Sequence, residues 1–190
     1  MAFVTQSIPL SIHYLKQKRA IIHPTDTVFG LAACIDDYNS IKKIYEIKGK
    51  DFNEPLSFAC RDINEMEKYM ELDFKKIGKI KDLLRKGSHY TFVAERKLTM
   101  DRNIDSCLDL ISKNNKIGIR IIRHPSVEEI VKHAGPIITT SANFHGENPV
   151  KEAGMLGKIS DSVKLILDGK CYYGRPSIVY DLVDDRIIRY

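Results

Sequence analysis

Short apolar runs rich in β-branched residues alternate with amphipathic helical segments along most of this 190-residue chain. That alternation predicts an α/β fold: a twisted, mixed β-sheet covered by helices. Helix punctuation recurs between the runs, with Asp, Asn or Ser ahead of apolar periodicity and Gly or Pro after it. No internal repeat, low-complexity tract or Pro/Gly-rich linker divides the chain, so residues 1–190 read as a single domain.

The elements follow in order. Residues 20–22 form a short buried strand that enters a turn at His23-Pro24. Asn39 is placed to cap a helix whose apolar face is Ile41, Ile44, Tyr45 and Ile47, and Gly49 ends it, since glycine takes the left-handed conformation freely. Residues 56–59 are a strand. Asp62 and Glu65 make a capping box before Met66, Tyr69 and Met70, and Phe74, Ile77, Ile80 and Leu84 then keep helical spacing. Residues 90–94 and 117–122 have strand composition. A second capping box, Ser126 with Glu129, opens a helix that Gly135 and Pro136 stop. Residues 137–140 are a buried strand running into a polar loop at 141–149. A helix is expected near 152–158 and a strand at 163–167. Segments 177–183 and 186–189 flank Asp184-Asp185 as a closing hairpin.

Composition excludes several classes. Hydrophobic residues make up 43% and charged residues 29%, too apolar for a disordered chain and too irregular for a coiled coil. The net charge of +5 favours anionic ligands without approaching a histone-like excess. Much of the surplus sits in residues 75–86, whose ordinary explanation is a solvated helix face. Cys34, Cys60, Cys107 and Cys171 lie far apart without C-x-x-C spacing, which suits buried free thiols rather than zinc or a disulfide framework. Neither an export signal nor an apolar span is present, so the expected location is the cytoplasm.

The familiar catalytic signatures are missing: there is no Walker-type loop, Rossmann fingerprint, G-x-S-x-G elbow or H-E-x-x-H. The six histidines lack ligand spacing, and most read as surface or hydrogen-bonded structural residues. Three polar clusters remain at the ends of expected elements: residues 23–30, 48–56 and 139–143. Ligands in open α/β sheets bind at strand ends, so these clusters are placed to converge. Each also has a plain structural explanation. Thr25 and Asp26 suit an Asx- or ST-turn, Lys48 offsets a helix dipole, and Ser141 and Asn143 satisfy turn backbone.

Taken in order, the clusters resemble the YrdC/TsaC family of threonylcarbamoyl-AMP synthases. The matching stretches are Pro24-Thr25-Asp26-Thr27-Val28-Phe29-Gly30-Leu31 and Ile44-Tyr45-Glu46-Ile47-Lys48-Gly49-Lys50 with Pro55-Leu56. Gly118-Ile119-Arg120, Thr140-Ser141-Ala142-Asn143 with Gly146 and Pro149, Ser177-Ile178-Val179-Tyr180-Asp181, and Arg189 complete the set. The resemblance spans about residues 20–190 and is to the short, single-domain form. It implies a YrdC-like fold with a large positively charged cleft. It also implies an enzyme, a nucleotidyltransferase that condenses L-threonine, bicarbonate or CO2, and ATP into threonylcarbamoyl-AMP and pyrophosphate. Partner proteins then transfer the threonylcarbamoyl group to tRNA.

By the same resemblance, Lys48, Lys50, Ser141, Asn143 and Arg189 face ATP, and Thr25, Arg120, Thr139 and Ser177 face threonine. Lys48 and Lys50 act electrostatically, no residue is a nucleophile, and Mg²⁺ comes with ATP rather than from protein ligands. The chain departs from the family at Lys50, where Arg is usual, at Gly87-Ser88-His89-Tyr90-Thr91, at Arg123-His124, and in reaching only Tyr190 after Arg189. Two alternatives stay open: a module that binds tRNA or double-stranded RNA without synthase activity, and a divergent paralogue acting on another amine. The hydroxyl and amide content of the clusters exceeds what a backbone-tracking RNA groove needs.

Overall fold

The computed structural model describes every residue except Met1, Ser88 and Tyr190, so the Ser88 step of the altered 87–91 segment lies outside the described residues. The order is β1 (Phe3–Thr5), α1 (Ile8–Lys16), β2 (Ile21–His23), β3 (Gly30–Cys34), α2 (Tyr38–Lys48), β4 (Ser57–Cys60), α3 (Ile63–Met66) and α4 (Phe74–Lys86). Then come β5 (Tyr90–Glu95), α5 (Arg102–Ile111), β6 (Lys116–Ile121), α6 (Pro125–Ala134) and β7 (Ile137–Ser141). Two 3₁₀ turns at Ala153–Met155 and Gly157–Ser162 lead into β8 (Leu165–Leu167), β9 (Ile178–Asp181) and β10 (Arg186–Arg189).

The described strands form one mixed sheet in the order β1-β8-β2-β3-β7-β4-β6-β5-β9-β10. Side chains alternate across it, which β3 shows clearly. Leu31 and Ala33 join the larger apolar layer, while Ala32 and Cys34 join the smaller one. The larger layer packs under α2, α4 and α5, and the smaller is covered by α1 and α6 through Leu15, Val127, Ile130 and Val131. The result is the expected single α/β domain. All four cysteines are free and buried. Among the described residues no helix is long and apolar enough to cross a membrane.

Several local expectations change. Asp37, not Asn39, caps α2: its carboxylate accepts from the Ser40 amide at 3.1 Å, so the helix begins one residue before Asn39. Gly49 does take the left-handed conformation, with φ of 62°. Asp62 caps α3, but Glu65 reaches back to the Arg61 amide. Ser126 and Glu129 do not form a capping box. Ser126 Oγ bonds His124 Nδ1 at 2.7 Å, Glu129 pairs with Lys132 and His133, and α6 starts on Pro125 without a side-chain cap. The helix expected near 152–158 is the two short 3₁₀ turns. Phe74 is exposed at the start of α4, whose buried face is Ile80 and Leu83. The basic stretch is a surface: Lys76, Lys79 and Arg85 pair with Glu95, Asp185 and Asp82. Strands β1 and β3 and helices α1 and α5 were not among the expected elements.

Candidate active site

The polar clusters meet where β2, β3 and β7 end beside β4 and β6. A cavity of about 190 Å³ lies there. Its lining includes Thr25, Thr27, Arg120 and Thr139, together with Lys50, Ser141, Ser177 and Arg189. Seven of the nine expected site residues therefore share one concavity. Lys48 and Asn143 are not among its lining residues. A second cavity of about 410 Å³ shares the Pro55, Leu56, Ser57 and Arg189 walls and extends past Lys116 and Gly118.

Thr25 follows β2 and builds the turn that shapes the wall. Its Oγ1 accepts from the amides of Thr27 and Val28 and donates to the Val28 carbonyl at 2.7 Å. This is the ST-turn expected on purely structural grounds, and it spends the Thr25 hydroxyl. Asp26 is instead drawn inward. Arg120, in β6 and buried, donates from Nη2 to Asp26 Oδ1 at 2.7 Å and from Nη1 to Thr27 Oγ1 at 3.2 Å. Its Nε is buried without a hydrogen-bond partner among the described residues. Burial lowers the Arg120 pKa, opposed by the Asp26 carboxylate. A partnerless guanidinium nitrogen beside a cavity is a costly arrangement unless an anion arrives to accept from it.

Lys48 occupies the last turn of α2, and all three of its donors are used. Nζ lies 2.6 Å from the Ser141 carbonyl, 2.8 Å from the Asn143 carbonyl and 3.3 Å from Asn143 Oδ1. The Asn143 amide nitrogen in turn donates to the carbonyls of Phe144 and Glu147. Burial, and secondarily Lys50, push Lys48 down to about 8. Lys48 thus clamps the loop after β7 rather than facing the cavity. Lys50 does face it, with Nζ 3.0 Å from the Pro55 carbonyl and 3.5 Å from Glu54. Burial lowers its pKa and Glu54 raises it.

The opposite wall comes from the C-terminal strands. Arg189 Nη2 donates to the Ser177 carbonyl at 3.2 Å, and Ser177 Oγ shares a hydrogen bond with Thr91 Oγ1 at 2.7 Å. Burial and then the Arg120 charge lower the Arg189 pKa. On the floor, Thr139 Oγ1 meets His23 Nε2 at 3.1 Å. His23 and Thr27 fall within the first cluster and Thr91 within the altered 87–91 segment, and the sequence assigns none of the three a role. Their contacts bridge 116, 93 and 86 residues, which no local pattern reports.

The family model Sua5_yciO_yrdC, described as "Telomere recombination", matches residues 13–190. The chain belongs to this Sua5/YciO/YrdC family. A Methanocaldococcus jannaschii protein provisionally named a threonylcarbamoyl-AMP synthase is 34% identical over 184 residues, covering 93% of this chain and 83% of that protein. Escherichia coli YciO, named only as uncharacterized, is 24% identical over 180 residues, covering 92% of this chain and 83% of its own. Its crystal structure matches all of this chain and 95% of YciO with a TM-score of 0.82. P. abyssi Sua5, solved in complex with L-threonine, matches with a TM-score of 0.80 at 21% identity, over 96% of this chain and 54% of that one. This chain therefore spans about half of that Sua5 protein, and the two structural likenesses show the family's shared fold.

Proposed function

We propose that this chain is an L-threonylcarbamoyladenylate synthase, a nucleotidyltransferase that joins L-threonine, bicarbonate or CO2 and ATP, with release of pyrophosphate. One observation carries the reading: Lys50, Arg120, Thr139, Ser141, Ser177 and Arg189, drawn from distant segments, surround a single cavity. The 34% identical relative supports it. The reaction suits such a site. The threonine amine takes up CO2, and the new carbamate oxygen then attacks the α-phosphorus, expelling pyrophosphate. Both steps need reactants held together and negative charge neutralised more than they need covalent catalysis.

Arg120, which lines the cavity as a buried cation, would take the amino-acid carboxylate. Lys50, which lines the smaller cavity, and Arg189, which lines both, would take the phosphates, with the nucleoside continuing into the larger space. Lys48 and Asn143 act by holding Ser141 in position. Mg²⁺ would come with ATP and neutralise part of the phosphate charge. The product would pass to threonylcarbamoyl-transferring proteins acting on tRNA in the cytoplasm.

Incubating the protein with ATP, Mg²⁺ and bicarbonate, with and without threonine, and following pyrophosphate tests this. Threonine-dependent release is expected. Tight RNA binding without release would replace the synthase with an RNA-binding module, and faster release with a different amine would make the chain a paralogue of altered substrate.

A further inference from the structure

The buried pair at the cavity floor has a polarity that the surrounding backbone dictates. His23 ends β2 and is fully buried. Its Nδ1 lies 3.0 Å from the Pro24 carbonyl. A carbonyl oxygen only accepts, so Nδ1 carries the proton. Burial, reinforced by the nearby His124 and Arg120, pushes the ring pKa down to about 4, so the imidazole is neutral near pH 7 and Nε2 holds a lone pair. Nε2 therefore accepts from Thr139 Oγ1, 3.1 Å away. The Thr139 hydroxyl proton is committed to the wall, and its remaining lone pairs are what it can offer the cavity.

The pair is tightly enclosed. A Cβ on Gly30 would come within 2.6 Å of Thr139 Oγ1 and 3.0 Å of His23 Nε2. The register that sets Gly30 opposite both His23 and Ser141 brings three strands together at this point. The other hydroxyls nearby are occupied differently. Thr25 Oγ1 already donates to Val28, while Ser177 Oγ and Thr91 Oγ1 bond each other. Thr139 is thus the wall hydroxyl whose role is set by a buried imidazole.

We infer that His23 is a positioning residue for substrate selection: it holds the Thr139 hydroxyl as a hydrogen-bond acceptor toward the cavity, where it receives the β-hydroxyl proton of the bound amino acid. The inference rests on the amino acid occupying this cavity, as proposed above. A site built to accept that proton discriminates against valine, which has threonine's shape but sets a methyl group against an unpaired oxygen.

Two measurements decide it. Nitrogen-15 NMR of the imidazole in the whole protein at pH 7 should find His23 protonated at Nδ1 and bare at Nε2. The reverse tautomer overturns the inference whatever reaction the chain catalyses. Kinetics supply the second measurement, with pyrophosphate release compared for threonine and valine. His23→Phe keeps a ring of similar breadth and removes the acceptor. It should raise the threonine KM about tenfold, leave kcat and the ATP KM within about twofold, and narrow the threonine-over-valine preference by a similar factor. His23→Gln, whose Oε1 can accept in place of Nε2, should recover most of that preference, and it serves as the probe if the Phe variant fails to fold. An unchanged preference in a folded His23→Phe protein, or a loss confined to kcat, overturns the inference. If the wild-type chain releases no pyrophosphate with threonine, the synthase reading falls. Calorimetric binding of threonine and valine to the free protein then decides selectivity: preference for threonine supports the inference and equal binding overturns it.

Discussion

Replacing Lys48 with Met separates stability from site geometry. The stem keeps its volume, but the ammonium and its three bonds to Ser141 and Asn143 are lost. At about 1.5 kcal/mol net for each charge-assisted bond, the loss is about 4–5 kcal/mol. Against this stands the cost of burying the charge. Lowering the pKa from 10.5 to about 8 corresponds to about 3 kcal/mol that Met no longer bears. The difference, about 1–2 kcal/mol, should lower Tm by only a few degrees in a domain of this size. The loop after β7 nevertheless loses its anchor, so threonine-dependent pyrophosphate release should fall at least tenfold. Urea unfolding and initial-rate assays on the same preparation test both halves. A stability loss above about 4 kcal/mol would mean that burying the charge offsets little of what the three bonds contribute. Activity within twofold of wild type would mean that Ser141 needs no clamp from α2.

Three further outcomes follow from the cavity walls. Gly30→Ala places a methyl group against Thr139 and His23, with an expected cost of about 1–3 kcal/mol from overpacking and loss of most activity; wild-type Tm and rate would show that the strands yield freely. Arg120→Met breaks the buried ion pair with Asp26 and should cost about 3–5 kcal/mol. Adding Asp26→Asn should recover part of that loss, and additive losses in the double-mutant cycle would contradict the coupling. The His23 pKa falls from 6.5 to about 4 on folding, so between those values the unfolded chain binds more protons. The contribution is full above pH 6.5 and is lost as pH falls through about 4, a change of about 3 kcal/mol. Denaturant unfolding across this range should show a steeper decline for wild type than for His23→Phe, and parallel curves would refute the assignment.

What the sequence revealed depended on how local the cause was. Asp62 as a cap, Gly49 as a left-handed stop and the hairpin at Asp184-Asp185 depend on neighbours a few residues away, and all three hold. Helix α5 carries an equally local signal. Asp101 caps it, and Ile104, Cys107, Leu108 and Ile111 keep helical spacing. Helix α1 has a start signal in Ser7 and Pro9 but a weak apolar face, since only Ser11 and Leu15 of its residues are buried. Ser126 misled because its hydroxyl had a better partner in His124 than in the helix backbone. Strand β3 was hidden inside a stretch read for its hydroxyls. At the site, residue identity was legible through motif order, but division of labour was not. That Lys48 faces the loop while Lys50 faces the cavity depends on where β7 ends relative to α2, a property of sheet register.

The departure at Lys50 has a geometric consequence. A guanidinium there would offer phosphate oxygens a planar fork, whereas Lys50 supplies a point charge already shared with the Pro55 carbonyl and Glu54. On the proposed reading, phosphate attraction at this position remains but orientation must come from elsewhere. Arg189 is the placed alternative: it lines both cavities and bonds Ser177 through Nη2. Among the hydrogen bonds described, Nη1 and Nε are not engaged, and either can join the second proton of Nη2 to make a fork on one phosphate. Lys50→Arg should then change the ATP KM by no more than about threefold, because it duplicates a fork already present. Arg189→Lys should raise it at least tenfold, because it removes the fork at the boundary. Equal effects of the two substitutions on the ATP KM would show that charge alone matters at both positions and that Arg189 has not taken over the orienting role.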